Sequence, residues 1–139
     1  MQRNLLAIAL SLPLLLSAVV HAQTTQLKVT VPFDFIAGDT ALPAGDYDVH
    51  SIDALGGKTL SIHNMTLNAG TLVLSNSSQS AKTSDRNTLV FYRYGQKYFL
   101  AEVWTVNTPT GRQMLLNQRQ TELAQNQQKS EVVLTASGK

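Results

Sequence analysis

The stretch TLVFYRYGQKYFLAEVWT, Thr88–Thr105, decides the fold. Two apolar, aromatic-rich runs flank Gly95-Gln96. Gly at the first of two central positions suits a type II′ hairpin turn, because it tolerates φ > 0. Closure at Tyr94 and Lys97 sets Tyr92 opposite Phe99, Phe91 opposite Leu100 and Val90 opposite Ala101. One face then carries Val90, Tyr92, Phe99, Ala101 and Val103. The other carries Leu89, Phe91, Tyr98, Leu100 and Trp104, with Arg93 and Glu102. A hairpin with one wet side alternates apolar and polar residues. Here both faces are largely apolar, which predicts two central strands covered on both sides.

Strand signals continue on either side. Gln26–Phe35 places Leu27, Val29, Val31, Phe33 and Phe35 on one face. Pro32 cannot donate to a ladder, so this strand is expected at an edge or with a bulge. Ala37-Gly38-Asp39 and Pro43-Ala44-Gly45 turn the chain, the latter with Gly45 at φ > 0. Asp46–Asp53 and Thr59–Leu67 flank Leu55-Gly56-Gly57-Lys58 as a second hairpin. Hydrophobic matching favours a register with Ile52 opposite Ile62 and Val49 opposite Met65, with a bulge or sharp twist. The competing register sets Ile52 against Ser61 and Val49 against Asn64.

Thr71–Ser75 reads as a short strand, Asn76–Asn87 as an exposed loop, and Asn107–Gly111 as the end of the β run. Arg112–Gln128 is rich in helix formers and predicts a short surface helix over about residues 112–127. Its six Gln also fit a low-complexity interaction segment. Glu131–Ala136 reads as a last strand returning to the sheet. The expected fold is mainly β: an antiparallel sandwich or a small, partly open barrel of about seven strands, with a short C-terminal helix.

The chain opens with one Arg and no acid, followed by the apolar run Leu5–Val20 and Val20-His21-Ala22. This is the pattern of a secretory signal peptide over residues 1–22, cut after Ala22. A run of 16 residues interrupted by Pro13 is short for a membrane span. Residues 23–139 then form a single β-rich domain, exported to the periplasm or beyond the cell, with no further hydrophobic span. Ten Lys/Arg against nine Asp/Glu, scattered along that part of the chain, give no footprint for nucleic acid. The absence of Cys leaves apolar burial to hold the fold in an oxidising compartment, and removes thiol chemistry.

No catalytic motif is legible: there is no Gly-x-Ser-x-Gly elbow, phosphate loop or dinucleotide fingerprint. His50 and His63 lie in the second hairpin near Asp48 and Asp53. The favoured register puts the two His on opposite faces, short of the three or four ligands of a metal site. No metal site and no cofactor are expected. Arg93 and Glu102 share a face with Phe91, Leu100 and Trp104, where one cation and one anion would orient a ligand. Tyr94 and Tyr98, beside the turn, and Trp104 offer rings for stacking on sugars. The candidate ligand residues are therefore Arg93, Tyr94, Tyr98, Glu102 and Trp104.

Val31–Val49 (VPFDFIAGDTALPAGDYDV), Leu89–Thr105 and the Thr110–Ala124 tail together resemble a group of short, secreted, β-rich proteins that recur in acidobacterial genomes. The resemblance implies bacterial origin and export, and carries over no site residue. The expected role is a non-enzymatic, structural or binding one at the bacterial cell envelope, with an envelope protein or a small ligand as partner. The alternatives are a small-ligand or carbohydrate binder, a hydrolase or metal-dependent enzyme using His50 or His63, and self-association through an open strand edge.

Overall fold

The computed structural model describes residues 26–52 and 57–138. The expected signal peptide, Asp53, Leu55 and Gly56 lie outside them. In chain order the elements are β1 (Gln26–Val31), β2 (Phe35–Ala37), β3 (Thr40–Leu42), β4 (Gly45–Ile52), β5 (Thr59–Asn64), β6 (Gly70–Gln79), β7 (Asn87–Tyr94), β8 (Lys97–Trp104), β9 (Thr110–Met114), α1 (Gln118–Asn126) and β10 (Lys129–Gly138). Eight strands close into an antiparallel barrel in the order β1-β4-β5-β6-β9-β8-β7-β10, and β10 returns to β1. The fold is thus neither a sandwich nor a seven-stranded, partly open barrel. Pairing of Glu102 with Gln113 and Val103 with Arg112 closes the wall.

Closure depends on segments that lack apolar alternation. β6 runs on to Gln79, through residues expected as loop, because Ser75–Gln79 pair with Met114–Thr110 of β9. For the same reason residues 110–114 are strand, and the helix shrinks to Gln118–Asn126. The β1 strand is not an edge: it lies between β10 and β4, and Pro32 falls just after its last paired residue, Val31. Gly45 has the positive φ expected of it, 157°, a backbone conformation that L side chains rarely adopt. Space adds to the demand: a Cβ there would stand 2.7 Å from Asn64 Nδ2.

The interior is filled. An eight-stranded barrel is just wide enough for side chains to occupy its centre. Leu27, Val29, Val31, Tyr47, Val49, Leu60, Ile62, Val73, Leu89, Phe91, Leu100 and Val103 converge there. The β2–β3 hairpin closes one end. Its Phe35 ring meets Tyr47 edge-on at 5.1 Å and Phe91 at 5.4 Å, so one aromatic bridges opposite walls. Removing a buried ring of this kind costs about 3–5 kcal/mol. Outward positions of β1, β4 and β5 carry Lys28, Asp46, Asp48, His50 and His63. On these three strands charges face outward, where the lipid face of a membrane barrel is apolar. Among the described residues, no helix is long and apolar enough to cross a membrane.

The central hairpin matches its sequence pattern over half its length. Gly95 has φ 59°, and Tyr94 pairs with Lys97, Tyr92 with Phe99 and Phe91 with Leu100. A bulge then sets Val90 opposite Glu102, leaving Ala101 as the extra residue. One extra residue turns over everything beyond it. Val103 therefore faces the core, and Glu102 and Trp104 face outward. Both faces are covered, as the apolar pattern requires: the outward Val90, Tyr94, Phe99 and Ala101 are buried as well. The connection from β9 to β10 must pass β8 and β7, and α1 makes that passage. It starts at Asn117, whose amide donates to Gly38 O at 2.5 Å, and ends where the Gln127 side chain lies against Gly95.

The second hairpin takes neither expected register. Ile52 pairs with Thr59, Val49 with Ile62 and Asp48 with His63. The hydrophobic match holds between Val49 and Ile62 rather than Ile52 and Ile62. Ile52 is the end of its strand and points outward, so the apolar side never changes along Tyr47, Val49 and Ser51.

Candidate functional site

The five candidate ligand residues separate into two places. On the outer face of the barrel, the bulge at Ala101 brings Glu102 beside Tyr92, which was not among the candidate ligand residues. Tyr92 Oη donates to Glu102 Oε1 at 3.0 Å, and Trp104 Nε1 donates to Glu102 Oε2 at 2.7 Å. Burial, then the hydrogen bond and negative charge of Glu102, push the Tyr92 hydroxyl up to about 12. Lys129 Nζ stands 4.1 Å above the Tyr92 ring and 3.7 Å from Glu131. Gly111 lies against the Trp104 ring so closely that a Cβ would meet it at 2.5 Å. Both oxygens of Glu102 are engaged, and its partners are packed. The cluster binds β7, β8 and β9 together.

Arg93 and Tyr98 lie on the inward side of the hairpin, at the barrel mouth, and Tyr94 is buried on the outer face. Arg93 therefore does not share a face with Glu102 or Trp104. Tyr98 stacks on Phe33 at 3.9 Å and 14°. The Arg93 guanidinium stands 5.4 Å from the Tyr98 centroid, while its Nε donates to Gly95 O at 2.7 Å. With Tyr94 only 4% exposed and a Tyr98 face taken by Phe33, the pair forms no open platform for sugar stacking.

Beside Tyr98 a pocket of about 430 Å³ opens between the β2–β3 hairpin, the β7–β8 turn and α1. Asp34, Phe35, Ile36, Ala41, Leu42, Pro43, Gln96, Lys97 and Arg119 complete its lining. Asp34 is committed to the fold, its Oδ1 accepting from Ala44 N at 2.9 Å. Lys97 and Arg119 are exposed and make no ion pair among the described residues. Only tertiary structure assembles this pocket, since its residues come from segments up to 85 positions apart, Asp34 to Arg119.

The observed register also corrects the reading of the histidines. His50 and His63 lie on the same outward face, with Asp48 directly opposite His63 and Ser61 opposite His50. They line a shallow recess of about 540 Å³. His50 Nδ1 is 3.9 Å from Asp48 Oδ1, too long for a hydrogen bond. No hydrogen bond joins Ser61 to His50 among the described residues, so a nucleophile–base–orienter relay is not assembled. No group of three His, Asp or Glu among the described residues is placed to hold a metal ion.

A fourth feature is apolar. Leu72 and Leu74 face outward on β6, and Leu115 and Leu116 follow β9; their exposures run from 47% to 63%. They border one groove of about 620 Å³ in which Asp39 is the one charged residue. No protein-family profile, curated protein or solved structure matches the chain.

Proposed function

We propose that the protein is a non-enzymatic, exported binding domain of the bacterial cell envelope, which takes its ligand at the helix-capped end of the barrel. The observation that carries this reading is the pocket beside Tyr98. At about 430 Å³ it falls in the size range of small-molecule sites, and it combines an apolar floor with a few polar groups at its rim. The barrel interior is filled by Phe35, Tyr47 and Phe91. The test is native mass spectrometry of the protein purified gently from its own envelope fraction. A reproducible added mass, lost when Tyr98 is replaced by Ala, supports the reading. A bare chain in every preparation overturns it.

The exposed leucines favour a second, structural reading, in which the partner is another copy of this chain. A groove with Asp39 as its one charge can meet its own twofold copy without setting rows of like charges together. Four exposed leucines make a modest contact, so the pair would be a weak, concentration-dependent one. Sedimentation velocity over a wide concentration range is expected to show a dimer that Leu72→Glu abolishes. A monomer throughout, or a dimer indifferent to that change, refutes it.

A further inference from the structure

We infer that the pocket beside Tyr98 selects a small organic anion, a carboxylate carried on a compact apolar body. This rests on the ligand-binding reading above and names the ligand class for that site. Three observations converge on it. First, the lining divides: Phe35, Ile36, Leu42 and Pro43 provide an apolar floor, and Lys97 and Arg119 stand at the margin. Second, the charges at the margin are not balanced. Asp34 is the one carboxylate in the lining; its Oδ1 accepts from Ala44 N, and its single charge stands against the two cations Lys97 and Arg119, which leaves the lining net positive. Lys97 and Arg119 have no ion-pair partner among the described residues, and neither does Arg93 beside Tyr98. Guanidinium and ammonium groups at the margin of an apolar recess favour an anionic occupant through charge-assisted hydrogen bonds. Third, the aromatic wall is held in place. Phe33 stacks on Tyr98, Phe33 in turn meets Phe91 edge-on at 5.2 Å, and Arg93 is tethered to Gly95 O. A wall fixed before binding lowers the ordering cost of association.

The anion would enter with its acid group toward Lys97 and Arg119 and its apolar body toward Ile36, Leu42 and Pro43. The two cations come from different elements, the β7–β8 turn and the first turn of α1. A bound acid would therefore tie the helix to the hairpin. Bare phosphate or sulfate lacks the apolar half and is not the expected ligand.

The test is an amide chemical-shift titration of the isotope-labelled, exported protein with three probes: 1-naphthoate, the neutral 1-naphthalenemethanol, and inorganic phosphate. Naphthoate is expected to bind with Kd on the order of 1 mM, typical of so small a probe. It should shift Gln96, Lys97, Tyr98 and Arg119, with the neutral alcohol and phosphate each about tenfold weaker. Arg119→Glu should weaken naphthoate by about tenfold and leave the alcohol unchanged. That variant is expected to fold, because an acid in the first turn of a helix is favourable. Equal affinity for naphthoate and the alcohol, or no effect of Arg119→Glu, overturns the anion assignment while leaving the pocket a binding site. No saturable shift with any probe overturns both.

Discussion

Tyr92→Phe tests the outer cluster through the pH dependence of folding. The hydroxyl donates to Glu102 Oε1 and is half-buried beside that carboxylate, which holds its pKa near 12. An unfolded tyrosine ionises near pH 10. Below pH 10 the hydroxyl is protonated in both states, and its contribution to stability is fully present. Between pH 10 and 12 the unfolded chain loses this proton and the folded one keeps it, so stability falls as pH rises. At pH 11 the uncorrected loss is about 1.4 kcal/mol. Solvent screening at a partly open site reduces it to about 0.7 kcal/mol. Phe cannot ionise, so its stability should fall less between pH 8 and pH 11. At pH 8 the variant should start lower by about 0.5–1.5 kcal/mol, the net worth of the lost hydrogen bond. The two curves should therefore converge with rising pH. Urea unfolding followed by Trp104, the only tryptophan, reads this directly. At a urea slope of about 1.5 kcal/mol per molar, the gap between midpoints should narrow by roughly 0.5 M. Parallel curves from pH 8 to pH 11 would refute the coupling between Tyr92 and Glu102.

Two further outcomes follow from close contacts. Gly111→Ala puts a methyl 2.5 Å from the Trp104 ring, so the indole must move and its bond to Glu102 must break. A loss of about 1–3 kcal/mol with red-shifted tryptophan emission is expected, and unchanged emission would count against this packing. Asn117 both caps α1, accepting from Gln120 N at 2.7 Å, and donates to Gly38 O. Asn117→Ala should cost about 0.5–2 kcal/mol and speed amide exchange in α1. Asn117→Asp should recover the cap without the Gly38 bond, and a full recovery would show that the link to the β2–β3 hairpin carries no weight.

Much of the candidate site was hidden from local pattern. Tyr98 stood out beside the turn and lines the pocket, whereas Arg93 was singled out on the face of Glu102 and instead stands over the Tyr98 ring. Glu102 and Trp104 were singled out too, but on the wrong face, because one extra residue at Ala101 inverts the side chains beyond it. Tyr92 was not among the candidate ligand residues, yet it completes the hydrogen-bonded cluster. Lys97 and Arg119 carried no signal: a lone cation in a turn and another in a helix look like solvated charges until the fold sets them on one rim. The histidines were separated by a register error. Matching Ile52 to Ile62 seemed the best hydrophobic fit, whereas the strand end lets Ile52 point outward.

The sequence by itself determined that the chain is mainly β, that Gly95-Gln96 turns a hairpin, and that its two strands are covered on both faces. It also placed a helix before a returning C-terminal strand. Those features arise from local forces: side-chain alternation, the freedom of Gly at positive φ, and the propensities of consecutive residues. Only the tertiary structure decided that the sheet closes. Closure rests on β9 and the second half of β6, where Ser75–Gln79 meet Thr110–Met114 across polar, nearly featureless sequence. Their backbone hydrogen bonds supply what side-chain pattern did not. Only closure then fixes which wall Phe35 spans and which residues from distant segments face each other across the pocket at the barrel mouth.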